Sequence, residues 1–290
     1  MRFITEQLYL CNEVSGATSP VLAPSLADVQ HALAEDELLV EFYNDGSHLY
    51  AFSLDAHSIQ IHALPVTLEV LDQLLAQLRL NLSAALQVGP QASATGSLIH
   101  NVQRILGRLY ALLLEPLALH QRIQSRLIIV PYGALHFLPF HLLHDGGTYL
   151  FEHYEVVTLP TAGLATRPAP HRKPGALILA HSWEGRLPYT LNEAGIVQKL
   201  FGGNLYIEEA ATRLAFQASP VQILHIAAHG QHRLDQPDLS FIQLADGQVY
   251  ADDLFQHDLS YELVTLSACE TGRAKVSGGD ELIGLGRGFL

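Results

Sequence analysis

One histidine and one cysteine of this chain occupy positions that suit a base and a thiol nucleophile. Cys269 follows an apolar segment at residues 263–266. His229 follows a second apolar segment, at residues 221–228, and precedes Gly230. A cysteine attacks as its thiolate, and a neighbouring imidazole is the usual group that removes the thiol proton. The two residues therefore predict a Cys/His dyad.

Two buried strands would have to bring these residues together. His229 and Cys269 are 269 − 229 = 40 positions apart, which leaves enough chain for a crossover connection between parallel neighbours. In open α/β sheets the carboxyl ends of parallel strands meet at one edge, where side chains reach a ligand. We therefore expect the thiol and the imidazole to leave the sheet at the same edge.

The chemistry expected of such a pair is acyl transfer, most simply hydrolysis of a peptide bond. Gly230 has no side chain, so its backbone N–H, together with that of Cys269, would be free to stabilise the oxyanion of a tetrahedral intermediate. The alternative is that Cys269 is only a small core residue, as many cysteines after apolar strands are. His225, which lies inside its strand, is interpreted as a core histidine.

Several segments together resemble the CHAT domain, a caspase-like family that is related to separase and often fused to tetratricopeptide repeats. They are LHIAAHG, VTLSACETG and GGDELIGLGRGFL, with LIIVPYGALHFLPFHLL and YEVVTLPTAGL upstream, so the resemblance covers about residues 26–290. It implies a caspase-like three-layer α/β/α fold with a mainly parallel sheet, in which His229 is the base and Cys269 the nucleophile. It also implies a protein or peptide substrate, and associated repeat domains are the expected partners.

Two carboxylates after the cysteine are candidate substrate-binding residues. Asp280 and Glu281 would select a basic side chain through an ion pair. The alternative is that they begin a helix over the apolar residues that follow and interact with its dipole. The resemblance further implies a strand and a helix beyond Leu290, so we expect this chain to lack part of the domain.

The element pattern predicts two halves. Residues 1–25 read as a linker or the tail of an upstream element. Residues 26–170 contain three strands in an antiparallel meander and two leucine-rich amphipathic helices, and the likeness to separase implies that this half is a non-catalytic, protease-like partner. Residues 171–290 alternate strand and helix, which favours a parallel sheet covered on both faces, and would form the catalytic half. The Pro-rich residues 167–175 mark the boundary.

Composition limits the classes of function. The net charge is 16 − 29 = −13 and no Lys/Arg cluster is present, which argues against nucleic-acid binding. No apolar segment reaches the length of a membrane span, and two distant cysteines indicate a reducing compartment, so we expect a cytoplasmic protein. Two histidine sets, at residues 136, 141 and 144 and at residues 225, 229 and 232, offer zinc as the weaker alternative, and we expect neither a metal nor another cofactor. The alternative to a peptidase is a catalytically silent caspase-like interaction module whose specificity comes from fused partners.

Overall fold

The computed structural model describes residues 24–88, 95–168, 172–216, 221–231, 240–254, 261–267, 275–277 and 281–283. Cys11, Cys269 and Asp280 lie outside these ranges. The chain divides into two compact units, with the division between Arg167 and Pro168. Each unit has its own sheet and its own hydrophobic core.

The first unit contains a five-stranded mixed sheet in the order β3-β2-β1-β4-β5. Its strands are β1 (Glu37–Asn44), β2 (Leu49–Leu54), β3 (Ile59–Ala63), β4 (Arg126–Val130) and β5 (Glu155–Thr158). Its helices are α1 (Leu26–Ala32), α2 (Leu68–Val88) and α3 (Thr95–Leu113). Pairs β1–β2 and β2–β3 are antiparallel, which confirms the predicted meander, whereas β1–β4 and β4–β5 are parallel.

The leucine periodicity of this unit matches what its helices bury. In α2 the leucines at 71, 75 and 78 are buried, and α3 buries Ile105, Leu109 and Leu113. These side chains join one core with the inward residues of β1 and β4, where Phe42 and Phe140 stack at 5.6 Å. Spacing of three and four residues places apolar side chains on one helix face, so the stripe is core packing and not a ligand site.

The second unit contains a four-stranded sheet in the order β12-β8-β6-β7, in which every neighbouring pair is parallel. The strands of the second unit as a whole are β6 (Lys173–Ala180), β7 (Gly203–Ile207), β8 (Val221–Ala227), β9 (His229–Gln231), β10 (Phe241–Leu244), β11 (Gly247–Tyr250), β12 (Leu263–Ser267), β13 (Lys275–Ser277) and β14 (Glu281–Ile283). Its helices are α4 (Thr190–Phe201), α5 (Arg213–Phe216) and α6 (Ala251–Leu254).

Alternating side chains of β6 and β8 form a separate cluster on each face of this sheet. On one face Ile178 and Ala227 pack with Ala194 of α4. On the other face Leu179 and Ile226 pack with α6 and with the hairpin β10–β11, which contributes Ile242, Leu244 and Val249. Strands that bury side chains on both faces are expected of a covered parallel sheet, so this protein is an α/β protein whose two larger sheets are one mixed and one parallel. Two smaller antiparallel sheets are formed by β9, β10 and β11 and by β13 and β14.

One element differs from the sequence prediction. Glu281 does not begin a helix: residues 281–283 form β14, which pairs antiparallel with β13. The β-branched residues Val276 and Ile283 suit a strand, and pairing with the preceding residues outweighed the helix pattern.

No helix within the described ranges is long and apolar enough to cross a membrane.

Candidate active site

Three parallel strands of the second unit end at the same level. Ala227 of β8 is in register with Ala180 of β6 on one side and with Ser267 of β12 on the other. Hydrogen bonding continues past these ends: the N–H of His181 donates to the Ala227 carbonyl at 3.0 Å, and the N–H of Ala228 donates to the Ser267 carbonyl at 3.3 Å. These hydrogen bonds to the two neighbouring strands therefore fix the backbone as far as Ala228, the residue before His229.

The register relates the two candidate catalytic positions. His229 follows Ala227 by two residues, and Cys269 follows Ser267 by two residues. Strands β8 and β12 are parallel neighbours, as the sequence predicted. Cys269 itself lies outside the described residues, so the distance between the two side chains stays a prediction.

The position of His229 behind an apolar segment indicated a loop after the sheet, but in the structure His229 does not lie in a loop. It begins β9, which pairs antiparallel with β10, so His229 is opposite Gln243 and Gly230 is opposite Ile242. Gly230 is buried and His229 is half-buried. The chain therefore passes from one sheet to another at Ala228, and the imidazole stands at that junction.

Two aromatic side chains enclose the His229 ring. Trp183 stacks on it almost parallel, with ring centroids 3.9 Å apart and an interplanar angle of 5°. Phe241 meets it edge-on, at 6.2 Å and 74°. The Arg186 guanidinium carbon is 4.6 Å from the Trp183 ring centroid, a cation–π distance. The imidazole therefore sits in an aromatic setting built by β10 and by the loop that follows β6.

The Trp183 loop is held by a carboxylate from the end of β7. The Ser182 N–H and hydroxyl donate to the two Glu208 oxygens at 3.1 and 2.5 Å. The Gly185 N–H donates to the Ser182 hydroxyl at 3.1 Å. The hydroxyl bond in particular stabilises the ionised carboxyl and lowers the pKa of Glu208. The loop is thus attached to the next strand of the sheet.

A second imidazole lies in β8, four residues before His229. His225 is buried, which confirms its interpretation as a core histidine, but polar atoms surround it. Its Nδ1 is 2.6 Å from the Thr265 hydroxyl, on the register partner in β12. Its Nε2 is 3.3 Å from a Glu193 oxygen of α4, outside hydrogen-bond geometry. Burial lowers the pKa of His225, and the Glu193 carboxylate partly opposes that shift.

The remaining candidates are placed less fully. Glu281 lies in β14, where only its backbone is described, and Asp280 lies outside the described residues. The approach of these carboxylates to His229 therefore stays a prediction. In the described ranges, no group of three or more His, Cys, Asp or Glu side chains could hold a metal ion.

The site residues that the sequence analysis missed come from strand ends. Trp183 is three residues beyond β6, and Glu208 directly follows β7. The same rule that selected His229, a functional side chain just after a parallel strand, applies to both. Trp183 is also the only tryptophan in the chain. Their mutual contacts, in contrast, depend on strand order and could not be read from the sequence.

The second unit is thus an α/β domain whose parallel sheet carries its candidate chemistry at the carboxyl edge. The CHAT domain family matches residues 103–290, about two thirds of the chain, and the chain belongs to this family. The CHAT domain is a caspase-like family related to cysteine peptidases. The match begins later than the resemblance at residue 26, and residues 26–102 lie outside it. No curated protein matches the chain.

Proposed function

We propose that this protein is a cysteine endopeptidase of the CHAT type, with Cys269 as nucleophile and His229 as base. The observation that carries the proposal is the parallel register of β8 and β12. The two residues stand at equivalent positions, each two residues past the register pair Ala227–Ser267. Parallel neighbours that end together direct the following residues to one edge of the sheet.

The proposed reaction has two stages. His229 takes the thiol proton, and the Cys269 sulfur forms a bond to the substrate carbonyl carbon, which gives a tetrahedral oxyanion. The N–H groups of Gly230 and Cys269 are the proposed donors to that oxyanion. When the C–N bond breaks, the imidazolium gives its proton to the leaving amine and a thioester remains. Water, deprotonated by His229, then hydrolyses the thioester and releases the carboxylic acid and the thiol.

The substrate is proposed to be a protein or peptide, cleaved in the cytoplasm without a metal or another cofactor. We keep Asp280 and Glu281 as candidates for binding a basic side chain before the scissile bond, since ion pairing gives charge selectivity. The α4 helix on one sheet face and the β10–β11 hairpin with α6 on the other support a caspase-like layered arrangement of the catalytic half. Nucleic acid and membranes are not proposed partners of an acidic chain of this kind.

Thiol alkylation tests the dyad, because the chain has only two cysteines, Cys11 and Cys269. Using the Cys11→Ser protein, the iodoacetamide reaction rate should exceed that of a free thiol at pH 7 and fall when His229 is replaced by Ala. The Cys269→Ser protein gives the matching rate for Cys11. Cleavage of a peptide library should disappear in both Cys269→Ala and His229→Ala. Cleavage that persists in Cys269→Ala would refute the proposal.

A second candidate function is a silent interaction module. The observation in its favour is an exposed apolar surface at α4, formed by Tyr189, Ile196, Leu200 and Phe201. Exposed apolar patches of this kind mark interaction sites in many proteins. This function predicts an ordinary thiol at Cys269, with the same alkylation rate whether or not His229 is present.

A further inference from the structure

Trp183 has a contact with the proposed base that the reaction scheme does not use. Its ring lies flat against the His229 imidazole, 3.9 Å between centroids. We propose that Trp183 is a positioning residue, which fixes the plane of the His229 ring so that it faces the thiol. This inference rests on the proposed function of the dyad, and it names a residue beyond the two that react.

The first argument is geometric. A histidine ring can rotate about two side-chain bonds, and a base that transfers a proton needs one orientation. An indole plane parallel to within 5° blocks rotation of the imidazole out of its plane, and Phe241 borders the ring edge-on. Aromatic pairs in these arrangements are attractive by about 0.5–1.5 kcal/mol. The ring is therefore held from two directions.

The second argument is the backbone that carries Trp183. Trp183 and Glu184 have φ angles of 51° and 59°, and Glu208, which anchors the loop, has a φ of 47°. Within the described residues only one other non-glycine residue, Ala118, has a positive φ. Such conformations cost about 1–3 kcal/mol each and concentrate at functional sites. Trp183, Glu184 and Glu208 all have this conformation at one sheet edge. The backbone there is therefore held in a shape that costs stability, which indicates a functional reason for it.

The third argument excludes a role in core packing alone. Trp183 belongs to neither of the two clusters that cover the faces of the parallel sheet. It is half-buried, and Arg186, which lies against it, is exposed. A large aromatic side chain at the rim of a sheet, in a strained turn, adds little to the core. Its main contact of defined geometry is with His229.

Two substitutions separate ring orientation from bulk. Trp183→Phe keeps a flat face, whereas Trp183→Leu keeps an apolar side chain without one. We expect Trp183→Leu to lower kcat about 10- to 100-fold with little change in KM, because a displaced base impairs the reaction more than binding. Trp183→Phe should stay within about threefold of wild type in kcat. Phe151→Leu, which removes an exposed aromatic ring that stacks on Tyr149 in the first unit, is the matched control and should leave kcat unchanged.

Tryptophan fluorescence tests the contact without any activity, because Trp183 is the only tryptophan. A protonated imidazole in contact with an indole quenches its emission. The emission of the wild-type full chain should therefore fall when the pH is lowered from 7.5 to 5.5, and this change should be absent in His229→Gln. Thermal unfolding of each variant identifies those that do not fold.

The possible results divide clearly. Loss of kcat in Trp183→Leu, retention in Trp183→Phe and His229-dependent quenching support the inference. Equal kcat in Trp183→Leu and wild type overturns it, as does equal loss in the Leu and Phe variants at unchanged melting temperature. Emission that does not depend on His229 also overturns it. If wild type neither cleaves peptides nor shows an activated thiol while quenching persists, the proposed function has failed and the positioning role fails with it, although the stack itself is real.

Discussion

Replacing Thr265 by valine should destabilise the second unit out of proportion to the size of the change. Valine has nearly the shape of threonine, but it removes the hydroxyl that lies 2.6 Å from Nδ1 of His225. His225 is 6% exposed, so water has little access to the nitrogen left without a partner. A buried polar atom that loses its partner costs about 1–3 kcal/mol. We expect the free energy of unfolding to fall by about 2 kcal/mol.

A double-mutant cycle attributes this loss to the His225–Thr265 pair. In a His225→Leu background no imidazole remains to be left unpaired, so Thr265→Val should cost less than about 0.5 kcal/mol. The coupling energy would then be about 1.5 kcal/mol. Urea unfolding at pH 7.5, followed by the emission of Trp183, measures all four proteins. Ser267→Ala is the matched control, because Ser267 is an exposed residue two positions further along the same strand.

The same pair predicts how stability changes with pH. Burial lowers the pKa of His225 in the folded state, and the unfolded chain has the ordinary value of about 6.5. Above that pH both states are neutral at this residue. As the pH falls below it, the unfolded chain binds a proton that the folded chain does not, so stability is lost until the folded pKa is reached. Wild type should therefore lose more stability than His225→Leu between pH 7.5 and 5.5. Additive effects in the cycle, together with parallel pH profiles, would refute this account of His225.

Three further substitutions test other parts of the second unit. Gly203→Ala should lower the free energy of unfolding by about 3 kcal/mol, because a Cβ there would lie 2.0 Å from the Ala176 carbonyl oxygen and the backbone φ is 96°. Gly195→Ala lies inside α4 with nothing near its added methyl group, so it should instead raise the free energy of unfolding by about 0.5–1 kcal/mol. Thermal unfolding measures both variants. Ser182→Ala should lower the free energy of unfolding by about 1–2 kcal/mol at pH 7 through loss of its bond to Glu208. That bond lowers the pKa of the Glu208 carboxyl in the folded state, so its contribution to stability is present above the unfolded pKa of 4.5 and is lost as the pH falls through the lower folded pKa. The free energies of unfolding of wild type and variant should therefore converge in acid. A difference that stays constant with pH would contradict the assignment.

The sequence was sufficient for the parallel sheet and for β8, the strand that precedes His229. Its strands are continuous apolar runs separated by helix patterns, and these features are local. The 40-residue spacing correctly predicted that β8 and β12 are neighbours, because a crossover connection of that length favours adjacent parallel strands. Asp246 at the turn between β10 and β11, followed by Gly247 at the start of β11, is a local signal typical of hairpins.

Long-range contacts could not be predicted in this way. The bond between Ser182 and Glu208 joins residues 26 apart, and it depends on β6 and β7 lying side by side. The stack of Trp183 on His229 depends on a loop in which Trp183 and Glu184 have positive φ angles, a conformation that non-glycine residues rarely adopt. The switch of the chain into β9 at His229 is decided by pairing with β10, which comes later in the sequence. Tertiary pairing thus determined the features that local pattern did not.

The buried His225–Thr265 pair and the Trp183 stack act on different aspects of the same proposed dyad. His225 precedes His229 by four residues and Thr265 precedes Cys269 by four, so their contact lies two register pairs before Ala227 and Ser267, on the same face of the sheet. A slip of one residue between β8 and β12 would turn every side chain of β12 to the opposite face. It would also leave the buried imidazole unpaired, so the pair penalises that slip. Register, however, does not orient a ring, and the indole contact supplies that constraint. Loss of the pair should therefore reduce stability and leave the chemistry of the remaining folded molecules intact, whereas loss of the indole should do the reverse.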